Sequence, residues 1–224
     1  MIDNKDAGMF FCADDFGLNK ITNEHIIQLI KKNKIQRVSV MVSKGRELFF
    51  LDELKKSGVK IDLHLTLDEK IGSITKNRNV LIRIFSFLKR LLEIKKIKKR
   101  WRIQIELFKK IFGHNPDGLN SHEHVHFFPS VFLTLIKLAK SNKIEYIRLG
   151  KGIIGKRTVV LVLRILSQVD WILFKKIKIR TSDYLSCLDW VNLNNEFIEK
   201  YKNKNMEIVC HPGKNKDFEK MKNI

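Results

Sequence analysis

Short apolar runs alternate with longer segments of helical periodicity along nearly the whole sequence, and this alternation limits the possible folds more than any other feature. Apolar runs predict strands over 8–13, 37–42, 59–67, 118–127, 144–149 and 206–210. Apolar residues at three- and four-residue steps predict helices over 20–32, 48–56, 80–112, 129–140, 158–175 and 193–202. Pro129 suits a first helical turn, and Gly113 follows the last apolar residue of the long basic segment. Strands separated by helices pair in parallel through crossovers, so the expected class is α/β. With 224 residues and no linker-like stretch, the whole chain, 1–224, is expected to form one domain. Chemistry in such folds collects at the C-terminal ends of the strands, which directs attention to the residues that close each run.

Those residues are reactive ones. The first run ends in Asp14 and Asp15, the third carries His64, the fourth contains His122, His124 and His126, and the last closes on His211. If 118–127 is a strand throughout, its three histidines share one face, and three imidazoles on one face need a metal or hydrogen-bond partners. Adjacent strand residues point apart, so Asp14 and Asp15 can serve one site only if the backbone leaves strand geometry, for which Gly17 offers a turn. A carboxylate joined by imidazoles is a mixed donor set suited to zinc, manganese, cobalt or magnesium, and leaves the second carboxylate free as a general base. Helix capping is the ordinary alternative for the aspartates, and a satisfied core position is the alternative for His64 or His211 alone. Cys12 and Cys210 read as small buried residues, with thiolate ligation as the alternative.

The net charge of +20 calls for an explanation, since basic proteins often meet nucleic acid or anionic surfaces. Here the basic residues are scattered. The densest run, Lys95-Lys96-Ile97-Lys98-Lys99-Arg100, sits between apolar positions at helical spacing and reads as a solvated helix face, with contact to an anionic membrane as the alternative. Three cysteines do not make a disulfide framework, the polar start Met1-Ile2-Asp3-Asn4 lacks the pattern of a signal peptide, and 158–174 is too interrupted to span a bilayer. A cytoplasmic protein is expected.

The order of the motifs is more specific than any one of them. Ala13-Asp14-Asp15-Phe16-Gly17, Val38-Ser39-Val40-Met41-Val42, His64-Leu65-Thr66-Leu67, Phe112-Gly113-His114-Asn115-Pro116, Ser121-His122-Glu123-His124-Val125-His126 and Cys210-His211-Pro212-Gly213 follow one another. In this the chain resembles the YdjC-like carbohydrate deacetylase family, which includes the chitooligosaccharide deacetylases. The resemblance implies an irregular (β/α) barrel that removes N-acetyl groups from amino sugars with one divalent ion, Mg2+ or Zn2+, with Mn2+ or Co2+ as alternatives. It implies Asp15, His64 and His122 as metal ligands, Asp14 as general base, and His211 beside the departing amine. His124 and His126 match further positions of the same motif, suited to supporting or substrate contacts.

The chain departs from the family at Cys12, where Asn is usual, and at Asn120, where Asp is usual. It is also C-terminally short for the family, and 150–192 carries no family motif. The expected partner is an acetylated amino sugar or glycan. Homo-oligomerisation and peripheral membrane contact stay open, and nucleic acid is not expected. Two other readings use the same residues differently: a metal-dependent phosphoesterase, and a basic membrane- or nucleic-acid-binding protein without turnover.

Overall fold

A computed structural model describes residues 8–43, 48–67 and 93–224 of the chain. Among these, eight strands are β1 (Met9–Phe16), β2 (Arg37–Val40), β3 (Lys60–Leu65), β4 (Gly118–Ser121), β5 (Tyr146–Ile147), β6 (Gly152–Ile153), β7 (Tyr184–Cys187) and β8 (Met206–Cys210). The helices are α1 (Lys20–Lys31), α2 (Leu51–Lys56), α3 (Ile94–Phe112), α4 (Pro129–Ser141), α5 (Thr158–Phe174), α6 (Asn195–Tyr201) and α7 (Asn215–Lys222). A 3₁₀ segment, His122–Phe127, follows β4 directly.

Every strand pairing is parallel, in the order β5-β4-β3-β2-β1-β8-β7-β6. Side chains show that this sheet curls into a barrel. β5 lies five strands from β8, about 24 Å in a flat sheet. Yet the Tyr146 hydroxyl donates to Glu207 of β8 at 2.6 Å. A parallel bridge from Tyr146 to Arg180, ahead of β7, lies on the same closing side.

Alternation along the strands divides the apolar from the polar residues. On β3, Ile61, Leu63 and Leu65 face the helices, while Asp62 and His64 point inward. Cys12 and Asp14 on β1, Ser39 on β2, Asn120 on β4 and Glu207 on β8 join them, all buried, so the barrel interior is polar. The helical side is hydrocarbon. Ile97, Trp101, Ile105, Phe108 and Phe112 of α3 repeat at helical spacing and are buried, as are Val131, Phe132, Leu135, Leu138 and Ala139 of α4. Local signals set the helix ends: Asn19 accepts from the Thr22 N–H to cap α1, Pro129 opens α4, and Gly113 ends α3 with φ 80°.

Several elements differ from the sequence expectation. The predicted strand 118–127 stops at Ser121, because Glu123 and His124 take left-handed backbone angles (φ 55° and 56°). The run 144–149 pairs only at Tyr146–Ile147. β6, β7 and α7 are short elements without a strong period and were not expected. The predicted helix 80–112 is seen as α3 from Ile94, and its portion 80–92 lies outside the described residues.

Candidate metal centre

The C-terminal ends of β1, β3, β4 and β8 meet at one end of the barrel. Register accounts for this: Ala13 pairs with Cys210, and His64 with Asn120, so Asp14–Asp15, His64, His122 and His211 all follow at the same level. At Asp15 the backbone turns left-handed (φ 73°) and the β1–β2 register slips between Ala13 and Phe16. This bulge re-aims one side chain, so both aspartates reach the interior. Gly17 was expected to provide the turn; the deviation begins two residues earlier, at Asp15 itself. Gly17 is still constrained, because its φ is 91° and a Cβ there would stand 2.6 Å from the Met41 carbonyl oxygen.

Asp15 Oδ1 lies 3.4 Å from His64 Nε2 and 3.2 Å from His122 Nδ1. Donor atoms of Asp15, His64 and His122 fall within 4.8 Å of one another. Two neighbouring donors about 2.1 Å from a single ion stand about 3.0 to 3.4 Å apart, so the spacing fits a shared cation. The chemistry fits as well. Asp15 Oδ1 is buried and makes no hydrogen bond, an arrangement that is costly unless a cation or proton meets it. His64 Nδ1 is hydrogen-bonded to the Asn120 carbonyl oxygen, which leaves Nε2 to face Asp15. The Asn120 amide is held in turn, donating to Ser39 Oγ at 2.9 Å. Burial pulls the His64 pKa down, but the Asp14 and Asp15 carboxylates outweigh it and leave the pKa raised. That negative field, which holds a proton on the imidazole, equally attracts a metal ion.

Asp14 is positioned differently. Arg148 grips it with both terminal nitrogens, Nη1 to Oδ2 at 2.7 Å and Nη2 to Oδ1 at 2.8 Å. Burial raises the pKa of the Asp14 carboxyl, yet Arg148 outweighs burial and holds it well below the usual range. The Arg148 Nε donates to Glu207 at 2.7 Å. Arg148 also contacts Cys12 Sγ and Ser39 Oγ, and burial pushes the Cys12 thiol well up, toward its neutral form. Two carboxylates, Asp14 and Glu207, thus share one buried guanidinium, while Asp15 faces only imidazoles, where a divalent ion would offset its charge.

The remaining histidines separate. His211 closes β8; its backbone N–H donates to Asp217 Oδ2 at 3.1 Å, and its Nδ1, 3.8 Å from the same carboxylate, is buried without a hydrogen bond. His122, His124 and His126 do not share a face, contrary to the strand expectation, since two successive left-handed residues rotate the chain between them. His122 alone turns to Asp15. His124 lies beside Trp190, with Nε2 4.0 Å from Cys187 Sγ, and burial together with Arg148 brings its pKa down to about 3. His126 is fully buried: Nε2 donates to the Arg148 carbonyl at 2.9 Å and Nδ1 accepts from the Ser121 hydroxyl at 2.6 Å. Both ring nitrogens are occupied, so His126 anchors the backbone that carries Arg148. Neither Cys12 nor Cys210 supplies an atom to the metal-type cluster.

Arg148 and Glu207 were not singled out from sequence. A signal for them existed, because Glu207 is the lone charge in the run 206–210 and Arg148 stands between Ile147 and Leu149 in another, and opposite charges buried in such places need one another.

The fold resembles that of a solved protein from Enterococcus faecalis V583, described as a candidate cellobiose-phosphate cleavage protein, with TM-score 0.63, 18% identity, and coverage of 91% of this chain and 80% of that one. A carbohydrate deacetylase of Clostridium beijerinckii is 28% identical over 213 residues, 90% of this chain and 79% of the relative. A carbohydrate deacetylase of Xenopus laevis is 24% identical over 150 residues, 61% of this chain and 49% of the relative. A chitooligosaccharide deacetylase of Salmonella schwarzengrund is 28% identical over 134 residues, 57% of this chain and 53% of the relative. The matches to the last two span about half the length of those relatives. The pattern that defines the YdjC-like proteins matches residues 8–223, and with the motifs meeting at one barrel end, this chain belongs to the YdjC-like protein family.

Proposed function

We propose that this protein hydrolyses the N-acetyl group of an amino sugar, or of an oligosaccharide or glycolipid that carries one, with a divalent ion held by Asp15, His64 and His122. The observation that carries the reading is the convergence of two imidazoles, His64 and His122, on the unsatisfied buried Oδ1 of Asp15. The names of the relatives supply the substrate class. Mixed oxygen and nitrogen donors suit zinc, manganese or cobalt and also admit magnesium. When bound, the ion supplies Lewis-acid chemistry, acidifying water and drawing charge to an amide oxygen.

Asp14 is the general base in this scheme. Arg148 keeps it ionised and fixes its direction, so its carboxylate stands ready to accept the proton of an attacking water. His211 lies at the end of β8, next to β1, and delivers a proton to the leaving amine, with Asp217 fixing its backbone N–H. His122, partly exposed, stands where the centre opens to solvent. Three cysteines, all free and buried, suit a reducing compartment, and we place the protein in the cytoplasm.

The test is release of acetate from N-acetylglucosamine and its oligomers by the full chain, before and after chelation. Acetate and free amine should appear in equal amounts, stop on chelation, and return on adding zinc or magnesium. Phosphate release from sugar phosphates with no acetate from any acetylated sugar would overturn the assignment in favour of a phosphoesterase.

A further inference from the structure

Helix α5 has apolar residues on both sides. Its inward residues Val160, Leu163, Ser167, Asp170 and Phe174 are buried. Its outward arc should then be polar, but it consists of Leu161, Val162, Ile165, Val169, Ile172 and Leu173, each between 37% and 62% exposed. At 100° per residue these six side chains fill a continuous outward arc about 120° wide along a helix about 26 Å long. Exposed apolar patches of this kind mark contact surfaces. Neighbouring α4, which packs on α5, carries a further exposed apolar side chain, Leu133.

The charge around the patch selects the partner. Lys156 precedes the helix, Arg164 flanks it, and Lys175, Lys176 and Lys178 follow it, all exposed. Between Gly155 and Ser182 the sole acid is Asp170, and it is buried. Two copies meeting through this face, in either direction, would bring lysine clusters together with no exposed carboxylate on the helix to pair them. An anionic surface would accept both ends. We propose that α5 is a membrane-docking helix, lying in the headgroup plane of an anionic bilayer with its outward face inserted and the flanking lysines on lipid phosphates. No described helix is long and apolar enough to cross a membrane, which agrees with lying on one.

This moves membrane contact away from the basic run on α3. Lys95, Lys96, Lys98 and Lys99 are exposed there, but that helix has placed Ile97, Trp101, Ile105, Phe108 and Phe112 in the core and has no apolar face left to insert. The docking surface is also tied to the site end of the barrel. A Cβ at Gly155, just before α5, would stand 2.8 Å from Trp190 Cβ, and the Trp190 ring lies 5.5 Å from that of His124. The inference does not depend on the proposed activity and is read by binding alone.

The experiment is co-sedimentation of the full chain with phosphatidylglycerol–phosphatidylcholine vesicles and with phosphatidylcholine vesicles. The parent should pellet with the anionic vesicles, less so at high salt, and weakly with the neutral ones. A Leu161→Ser/Ile165→Ser/Ile172→Ser variant should bind at least about tenfold more weakly, since three apolar side chains no longer insert. A Lys175→Gln/Lys176→Gln/Lys178→Gln variant should bind about ten- to a hundredfold more weakly. Replacing Lys95, Lys96, Lys98 and Lys99 by Gln should change binding less than either. Sedimentation equilibrium separates the competing occupant. A parent that forms a dimer, lost in the serine variant, with no vesicle binding by either, overturns the proposal, as does equal pelleting of parent and both α5 variants.

Discussion

Asp14 and Asp15 are neighbours in sequence, yet their environments differ. Asp15 meets two imidazoles, whereas Asp14 is gripped by the Arg148 guanidinium, with His64 Nδ1 farther off at 3.9 Å. Replacing Asp15 by Asn should therefore remove bound metal, read as metal content after dialysis. Asp14→Asn should keep the metal and lower turnover by about 10²- to 10⁴-fold, the usual loss for a general base. Loss of metal from Asp14→Asn with retention in Asp15→Asn would reverse the two roles. Arg148 contributes to stability as well as to the site, since it is the common partner of Asp14 and Glu207. Arg148→Met leaves two buried carboxylates without their cation and should destabilise the fold by about 3–5 kcal/mol in urea titration. A loss below 1 kcal/mol would mean that the interior is wetter than its burial indicates.

At the scale of elements, α5 carries a second exceptional carboxylate. Asp170 is fully buried, neither oxygen has a hydrogen-bond partner among the described residues, and burial pushes its pKa up to about 8. In the unfolded chain the same group titrates near 3.9. Between these values the folded protein keeps a proton that the unfolded chain gives up. The contribution of Asp170 thus turns against folding as pH rises from about 4 to about 8, and is constant above that. Asp170→Asn should flatten this part of the stability–pH curve in chemical unfolding; a parallel fall in variant and parent would place the slope elsewhere. The bulged end of β1 is a second sensitive element. Gly17→Ala adds a Cβ against the Met41 carbonyl at a positive φ and should cost more than about 1 kcal/mol, read as a lower unfolding midpoint.

For the whole molecule, the barrel encloses polar groups that a metal would complete, so binding and folding should be coupled. An ion that binds only the folded state at a hundred times its Kd adds about 2.7 kcal/mol. A thermal melt should rise on adding zinc or magnesium to chelated protein, and the rise should vanish in Asp15→Asn. An equal rise in that variant would place the ion at another site. The same closure lets one chain hold Tyr146 and Arg148, near one edge of the sheet, against Glu207 and Asp14, which lie several strands away.

Periodicity alone was enough for the α/β class, the long helices α1, α3, α4 and α5, and the strands around Phe11, Val38, Leu63 and Ile208, because burial on one side of a helix or within a parallel sheet imprints a local pattern. The residues that gather at the site were also legible, since reactive side chains closing apolar runs stand out against them. How they group was not. A period of two put His122, His124 and His126 on one face, but two left-handed residues divide them among Asp15, Trp190 and the Arg148 backbone. Likewise Arg148 and Glu207 are 59 residues apart and meet only once the sheet has curled. Local sequence fixes which residues can be buried or reactive; which of them touch depends on closure and register, and these arise from contacts between distant segments that no local period encodes.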